Sequence, residues 1–366
     1  MSISQNISIF ASYSLIMYKN SIFAKPCWAK LALNKDGYDP FIDFLKGVCI
    51  IFVIINHCMP EIIMKYSGFM FWGVSAVPIF LLIQVFHAYK RGCNNTKVNY
   101  KKIWNKIALP FFICQFIICI AFILKSHHVQ LSDVITVISN WMKSGGYGPG
   151  AYYPWIYLQF AILLPLLSPI FKKNSPLFCI LFIMISQSVE TACAYYHLPQ
   201  LAYRLLFLRY IFIFYLGYLL ATKGYQLNRY TFGASIICLL FSFIIVYGGI
   251  NLSPFLYDFV NPVCHWFCYV YIAYLLLFLI KLAYGHIPNG SFLNYLLNAG
   301  KYSYEIFLFQ IVYFAIADEC IFEYLGIIIN NHTLFTVVKT IFPIIICTLP
   351  IILYKKGKVY HFFNFE

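Results

Sequence analysis

Acidic side chains are scarce in this chain, with 12 Asp and Glu among 366 residues. Charged residues of all kinds make up 10%, where a soluble domain carries roughly 25%, so there is too little charge to solvate a folded surface. That excludes a soluble enzyme, and a 62% hydrophobic content excludes a disordered chain. A disulfide framework is also missing. The 13 Cys are odd in number and scattered through apolar runs, as at Cys114, Cys119, Cys179, Cys238 and Cys347, where Cys behaves as a small hydrophobe. No internal repeat and no soluble domain interrupts those runs. The net charge of +14 does not point to nucleic acid, because Lys and Arg lie between apolar runs rather than on one soluble face.

What is present is apolar length. The mean hydropathy is +0.77, and aromatic residues reach 20%, which suits an integral membrane protein with two headgroup interfaces to anchor at. A bilayer core about 30 Å thick takes roughly 20 apolar residues per helix. Runs of that kind predict ten spans, over about 42–60, 68–89, 105–125, 151–171, 177–196, 205–222, 230–249, 263–281, 302–318 and 333–354. They are helices, since the alternation of a membrane barrel is absent. The expected fold is an all-α polytopic bundle.

Loop charges orient it. Basic residues collect in the N-terminal tail (Lys19, Lys25, Lys30, Lys35), in every second loop, as at Lys90 to Lys106, Lys172 and Lys173, and Lys223 and Arg229, and in the C-terminus (Lys355, Lys356, Lys358). The opposite loops carry mainly acids, among them Glu61, Asp133, Asp258 and Asp318. By the positive-inside rule both termini are expected in the cytoplasm. The chain then divides into a tail over 1–40, a membrane domain over 41–355 and a second tail over 356–366. Within the first tail, Ile7 to Tyr18 is too short to span and lacks the basic flank of a signal peptide, so it reads as an interfacial helix or an over-extended start.

Ionisable groups inside spans mark function by default, because each is costly unless paired or hydrated. The first span holds Asp43, Lys46 and His57 in FIDFLKGVCIIFVIINHCMP. Eleven residues separate Lys46 from His57, about three helical turns and a rise of about 16 Å, so both lie on one face. Asp43, one turn before Lys46, is placed to pair with it. The plainer reading has Lys46 snorkelling to the headgroups and His57 closing the far end of the helix. Cys264, His265 and Cys268 look ligand-like, but no second ligand pair accompanies them and no metal site is expected.

The first span resembles the start of the membrane-bound acyltransferase 3 family: an acidic or polar residue, Leu, a basic residue, Gly, an apolar run and then His. Here these are Asp43, Leu45, Lys46, Gly47, Val48 to Ile55 and His57, with Lys46 where Arg is commoner. The resemblance continues in KKIWNKIALPFF, GPGAYYPWIYLQFAILLPLL, RLLFLRYIFIFYLGYLLA and GKYSYEIFLFQ, the last with Gln310 at the position of the family's terminal His. It covers roughly residues 40 to 355.

This resemblance implies transfer of an acyl group, usually acetyl, from cytoplasmic acyl-CoA to a hydroxyl of a surface glycan or lipid-linked sugar, in a multi-pass inner or plasma membrane. His57 is the candidate general base or acyl carrier, since neutral imidazole is matched to pH 7. Lys46 would meet CoA phosphates or a developing oxyanion. Lys101, Lys102 and Lys106 would hold the nucleotide phosphates, or serve only as an inside signal. Arg204 and Arg209 are expected to face a glycan or an acidic partner, Glu190 and Glu305 to pair with nearby cations, and Tyr152, Tyr153 and Trp155 to form an interfacial belt. The alternative is a transporter or flippase of lipid-linked sugars, which would favour discontinuous helices and repeat symmetry. A polysaccharide polymerase would call for a longer soluble-side loop than residues 126–150.

Overall fold

A computed structural model describes residues 39–90, 100–125, 130–173, 176–223, 227–248, 255–256, 265–329 and 331–363. The N-terminal tail before Asp39, with its interfacial helix, lies outside these residues, as do Lys97, Asp258 and Cys264. Asp39 opens the first helix, its side chain accepting the Phe41 amide at 3.0 Å, and Pro40 occupies the first turn, where its missing N–H costs nothing. The helices that follow are α1 (Pro40–Cys58), α2 (Ala76–Lys90), α3 (Leu109–Lys125), α4 (Leu131–Ser144), α5 (Tyr153–Lys172), α6 (Pro176–Tyr195) and α7 (Ile211–Lys223). After them come α8 (Arg229–Tyr247), α9 (Leu277–His286), α10 (Ser291–Lys301), α11 (Ser303–Ile316), α12 (Asp318–Ile328) and α13 (His332–Phe363). No strand occurs among the described residues. The chain is an all-α polytopic membrane protein.

Among the described residues eight helical segments are long and apolar enough to cross a bilayer, and they fall on eight of the ten expected spans. The other two differ. The sixth expected span is broken: a short helix, Gln200–Leu205, and one tight turn, Phe207–Tyr210, precede the 13 residues of α7. The ninth is α11, apolar but only 14 residues long. Both pack inside the bundle. Every residue of α7 from Ile211 to Tyr218 is buried, and α11 buries Ile306, Phe307, Leu308, Gln310, Ile311 and Tyr313. A helix walled by protein can end at membrane depth, because its neighbours rather than headgroups satisfy its ends.

Two glycines set the closest helix approach. A Cβ on Gly47 in α1 would collide with the Leu296 carbonyl of α10, and one on Gly300 would collide with the Asp43 carbonyl. The two backbones therefore touch, the small-residue contact by which membrane helices associate. In α3 the local break has a different cause. Pro110 has no N–H to give the preceding turn, and Trp104–Ala108 widens to a π turn, with the Leu109 amide reaching the Trp104 carbonyl. The Tyr304 hydroxyl donates to the Ile107 carbonyl in that turn at 2.7 Å, joining α11 to the start of α3.

The segment between α3 and α5 is more than a loop. In α4 the apolar residues Leu131, Ile135, Ile138 and Met142 recur at helical spacing on an exposed face, as in a helix lying at an interface.

Candidate active site

Two cavities lie end to end inside the bundle. The first, about 280 Å³, is lined by Lys46 of α1, Gln84 and His87 of α2, Tyr157 of α5 and Ser303 and Tyr304 of α11, among others. The second, about 370 Å³, is lined by Asn56 and His57 of α1, the loop residues Pro149, Gly150 and Tyr152, and Arg204, Arg209 and Tyr210. Four residues, Val53, Val77, Tyr153 and Phe307, line both. They come from α1, α2, α5 and α11, so the partition is a ring of four side chains, one from each helix. Lys46, Val53 and His57 follow one stripe of α1, and that stripe runs from the first cavity through the partition into the second.

Lys46 is held by Asp43, Nζ to Oδ1 at 2.5 Å, and both are largely buried. His57 presents its ring to the second cavity and packs edge-on against Phe314 of α11, centroids 5.8 Å apart. Arg204 lies within coulombic reach of His57 and over the Tyr152 ring at 5.4 Å. Lys101, Lys102 and Lys106 are exposed at the start of the α3 segment and do not line either cavity, although Ile107, the next residue, lines the first.

The aromatic trio beside the glycine-rich loop does not form an interfacial belt. Tyr153 stands in the partition, Tyr152 lies under Arg204 in the second cavity, and the Trp155 indole donates to the Gly145 carbonyl at 2.6 Å. The cause is the loop itself. Gly148 adopts φ +86°, and a Cβ there would meet the Ile311 carbonyl at 2.8 Å, so the loop lies directly on α11 and turns the aromatics inward.

Several contacts around the site carry no local sequence signal. Arg209 is 3% exposed, its guanidinium 3.9 Å from the Tyr203 ring centroid and 4.5 Å from that of Tyr210. Behind it the Tyr203 hydroxyl donates to Glu190 Oε1 at 2.6 Å, and Glu190 Oε2 lies 3.2 Å from His265 Nδ1. Glu190 and His265 are thus partners, and Glu305 pairs with Lys355 at 3.0 Å. Gln115, buried in α3, gives its amide to the Tyr147 carbonyl at 3.0 Å and accepts from the Tyr147 amide at 2.7 Å and the Trp141 indole at 3.1 Å, pinning α4 and the loop. Gln310 is fully buried, with no hydrogen-bond partner for either side-chain atom among the described residues. Cys268 meets Ser242 at 3.3 Å, and no cluster of metal-ligating side chains occurs among the described residues.

A comparison with protein-family models matches residues 39–353 to an acyltransferase domain, that of the acyltransferase 3 family. The chain belongs to the acyltransferase 3 family. It is an acyltransferase, moving groups other than amino-acyl groups. No curated protein and no solved structure matches it. In this acyltransferase the segments that carried the resemblance converge physically. Gly47 of the first meets Gly300 of the last, the GPG loop lies on α11, and the partition between the cavities draws on three of the five segments or their immediate neighbours.

Proposed function

We propose that this acyltransferase carries an acyl group, most simply acetyl, from acyl-CoA on the cytoplasmic side to a hydroxyl of a surface glycan or lipid-linked sugar on the far side of an inner or plasma membrane. The observation that carries the reading is the pair of cavities on the α1 stripe, one at Lys46 and one at His57, separated by four side chains. In the proposed topology both termini are cytoplasmic, ten segments cross, and Lys46 lies toward the cytoplasm. The pantetheine arm of the donor enters the Lys46 cavity, with Lys101, Lys102 and Lys106 holding nucleotide phosphates at its mouth. The acceptor enters the His57 cavity, and the thioester carbonyl reaches the partition.

A sugar hydroxyl ionises far above pH 7 and attacks a thioester poorly, so it needs a positioned base. His57 supplies it in one of two ways. As general base it takes the hydroxyl proton while the oxygen attacks the carbonyl carbon, the C–S bond breaks and the imidazolium returns the proton to the CoA thiolate. As nucleophile it first accepts the acyl group on nitrogen, releases CoA and then passes the acyl group to the hydroxyl. Lys46 or Arg204 can stabilise the oxyanion that forms in either route. The test is acyl transfer by the purified protein from radiolabelled acetyl-CoA to a glycan acceptor. Ester formation that requires His57 is expected, and transfer that is indifferent to His57→Ala contradicts the assignment.

A further inference from the structure

The fixed charges that line the His57 cavity are two guanidinium cations. Arg204 and Arg209 line it beside His57, and among the described residues no carboxylate does. Its about 370 Å³ falls within the range of ligand pockets, roughly 300 to 1,000 Å³. Arg209 is the unusual member. It is 3% exposed, its Nε and Nη1 hydrogens find no acceptor among the described residues, and no ion pair there joins it to an acid. Glu190 lies within coulombic reach of Arg209 but makes no hydrogen bond or ion pair to it among the described residues, its Oε1 accepting from Tyr203 and its Oε2 lying 3.2 Å from His265 Nδ1.

A buried guanidinium with two of its three nitrogens lacking an acceptor is expensive unless a ligand completes it. The rest of the arrangement holds it ready. Tyr203 and Tyr210 place their rings over the guanidinium, and Glu190 and His265 fix Tyr203 from behind, so Arg209 cannot swing away to solvent. Arg204, half-buried against Tyr152, brings a second cation to the same cavity.

We propose that the acceptor is an anionic sugar whose carboxylate or phosphate docks on Arg209 and Arg204, and that this contact selects the acceptor and sets its hydroxyl against His57. The proposal deepens the reading of the His57 cavity as the acceptor site and rests on it. An anion there supplies the missing acceptors in charge-assisted hydrogen bonds, whereas a neutral sugar offers only uncharged hydroxyl oxygens, the weaker acceptors, and leaves the buried charge uncompensated. Arg209 is then a specificity-determining residue, distinct from an oxyanion-stabilising one, which would act on every acceptor alike.

Binding of methyl glucuronide, glucose 6-phosphate and methyl glucoside to the full chain in nanodiscs, without donor, tests this by calorimetry. The carboxylate and phosphate arms distinguish the two sources of negative charge. At least one anionic sugar is expected to bind about tenfold or more tighter than the neutral one. Arg209→Gln should bring that ratio close to one, Arg209→Lys should keep part of it, and Arg204→Gln, at a less buried site, should reduce it with normal protein abundance. Equal binding of all three sugars by the unaltered protein overturns the proposal. So does a ratio that persists in both Gln variants, or a uniform weakening of all three sugars. Acyl transfer from acetyl-CoA to the same sugars is measured separately. An anion preference without transfer leaves the subsite standing and removes the proposed reaction, and transfer without the preference does the reverse.

Discussion

His57 and Lys46 stand on one stripe of α1 but meet different chemistry, and that difference makes their roles separable by substitution. Losing a general base typically lowers a rate by about 10² to 10⁴. His57→Ala is therefore expected to reduce acyl transfer by that order with unchanged abundance, as measured with radiolabelled donor in membranes matched for protein. At Lys46 a phosphate or oxyanion requires charge but not one particular geometry, so Lys46→Arg should retain much of the activity and Lys46→Gln should lose most of it. Removing Lys46 strands the buried Asp43 carboxylate, 2.5 Å away. The double variant Asp43→Asn with Lys46→Gln is expected to stay inactive, and recovered transfer would make the pair structural. The stripe was legible because eleven residues on a helix is a simple angle. The Arg209 network was not, because Glu190, Tyr203 and His265 reach it from separate segments and no periodicity in the chain links them.

Helix packing explains why the family segments contain the small and polar residues they do. Gly47 and Gly300 let α1 and α10 touch backbone to backbone, and any side chain there forces them apart. Overpacking of this kind costs about 1 to 3 kcal/mol. Gly47→Ala and Gly300→Ala are each expected to lower the thermal midpoint of the purified protein, with Gly233→Ala, in open space within α8, as the control that does not lower it. The same logic applies to Gln115, whose three contacts hold the loop that carries Tyr152 and Tyr153. Gln115→Ala strands buried backbone groups at about 1 to 3 kcal/mol each, and should raise the acceptor KM through loop displacement more than it alters donor binding. Most spans were legible as apolar runs. The breaks in α7 and α11 were not, because an apolar count does not reveal which helix the others surround. The inward turn of Tyr152, Tyr153 and Trp155 depended in the same way on a contact with α11, more than 150 residues away.

At the scale of the whole molecule, the proposed arrangement is a bundle open to donor on one side and acceptor on the other, with Val53, Val77, Tyr153 and Phe307 between, the described residues that line both cavities. Its topology is checked by cysteine accessibility: Cys at Lys173 or Lys356 should be protected from an impermeant reagent applied outside intact cells, and outside labelling would overturn the cytoplasmic placement. The alternation of loop charge is what this expected orientation rests on. The two-cavity interior was not readable, since it is assembled from α1, α2, α5 and α11 together. The most direct measurement uses proteoliposomes in which the Lys46 end of a uniformly oriented protein faces acyl-CoA and the His57 end faces a sealed glycan acceptor. Acyl ester is expected on the sealed acceptor and CoA on the opposite side, both requiring His57. Ester formation only when donor and acceptor share one compartment would contradict that arrangement.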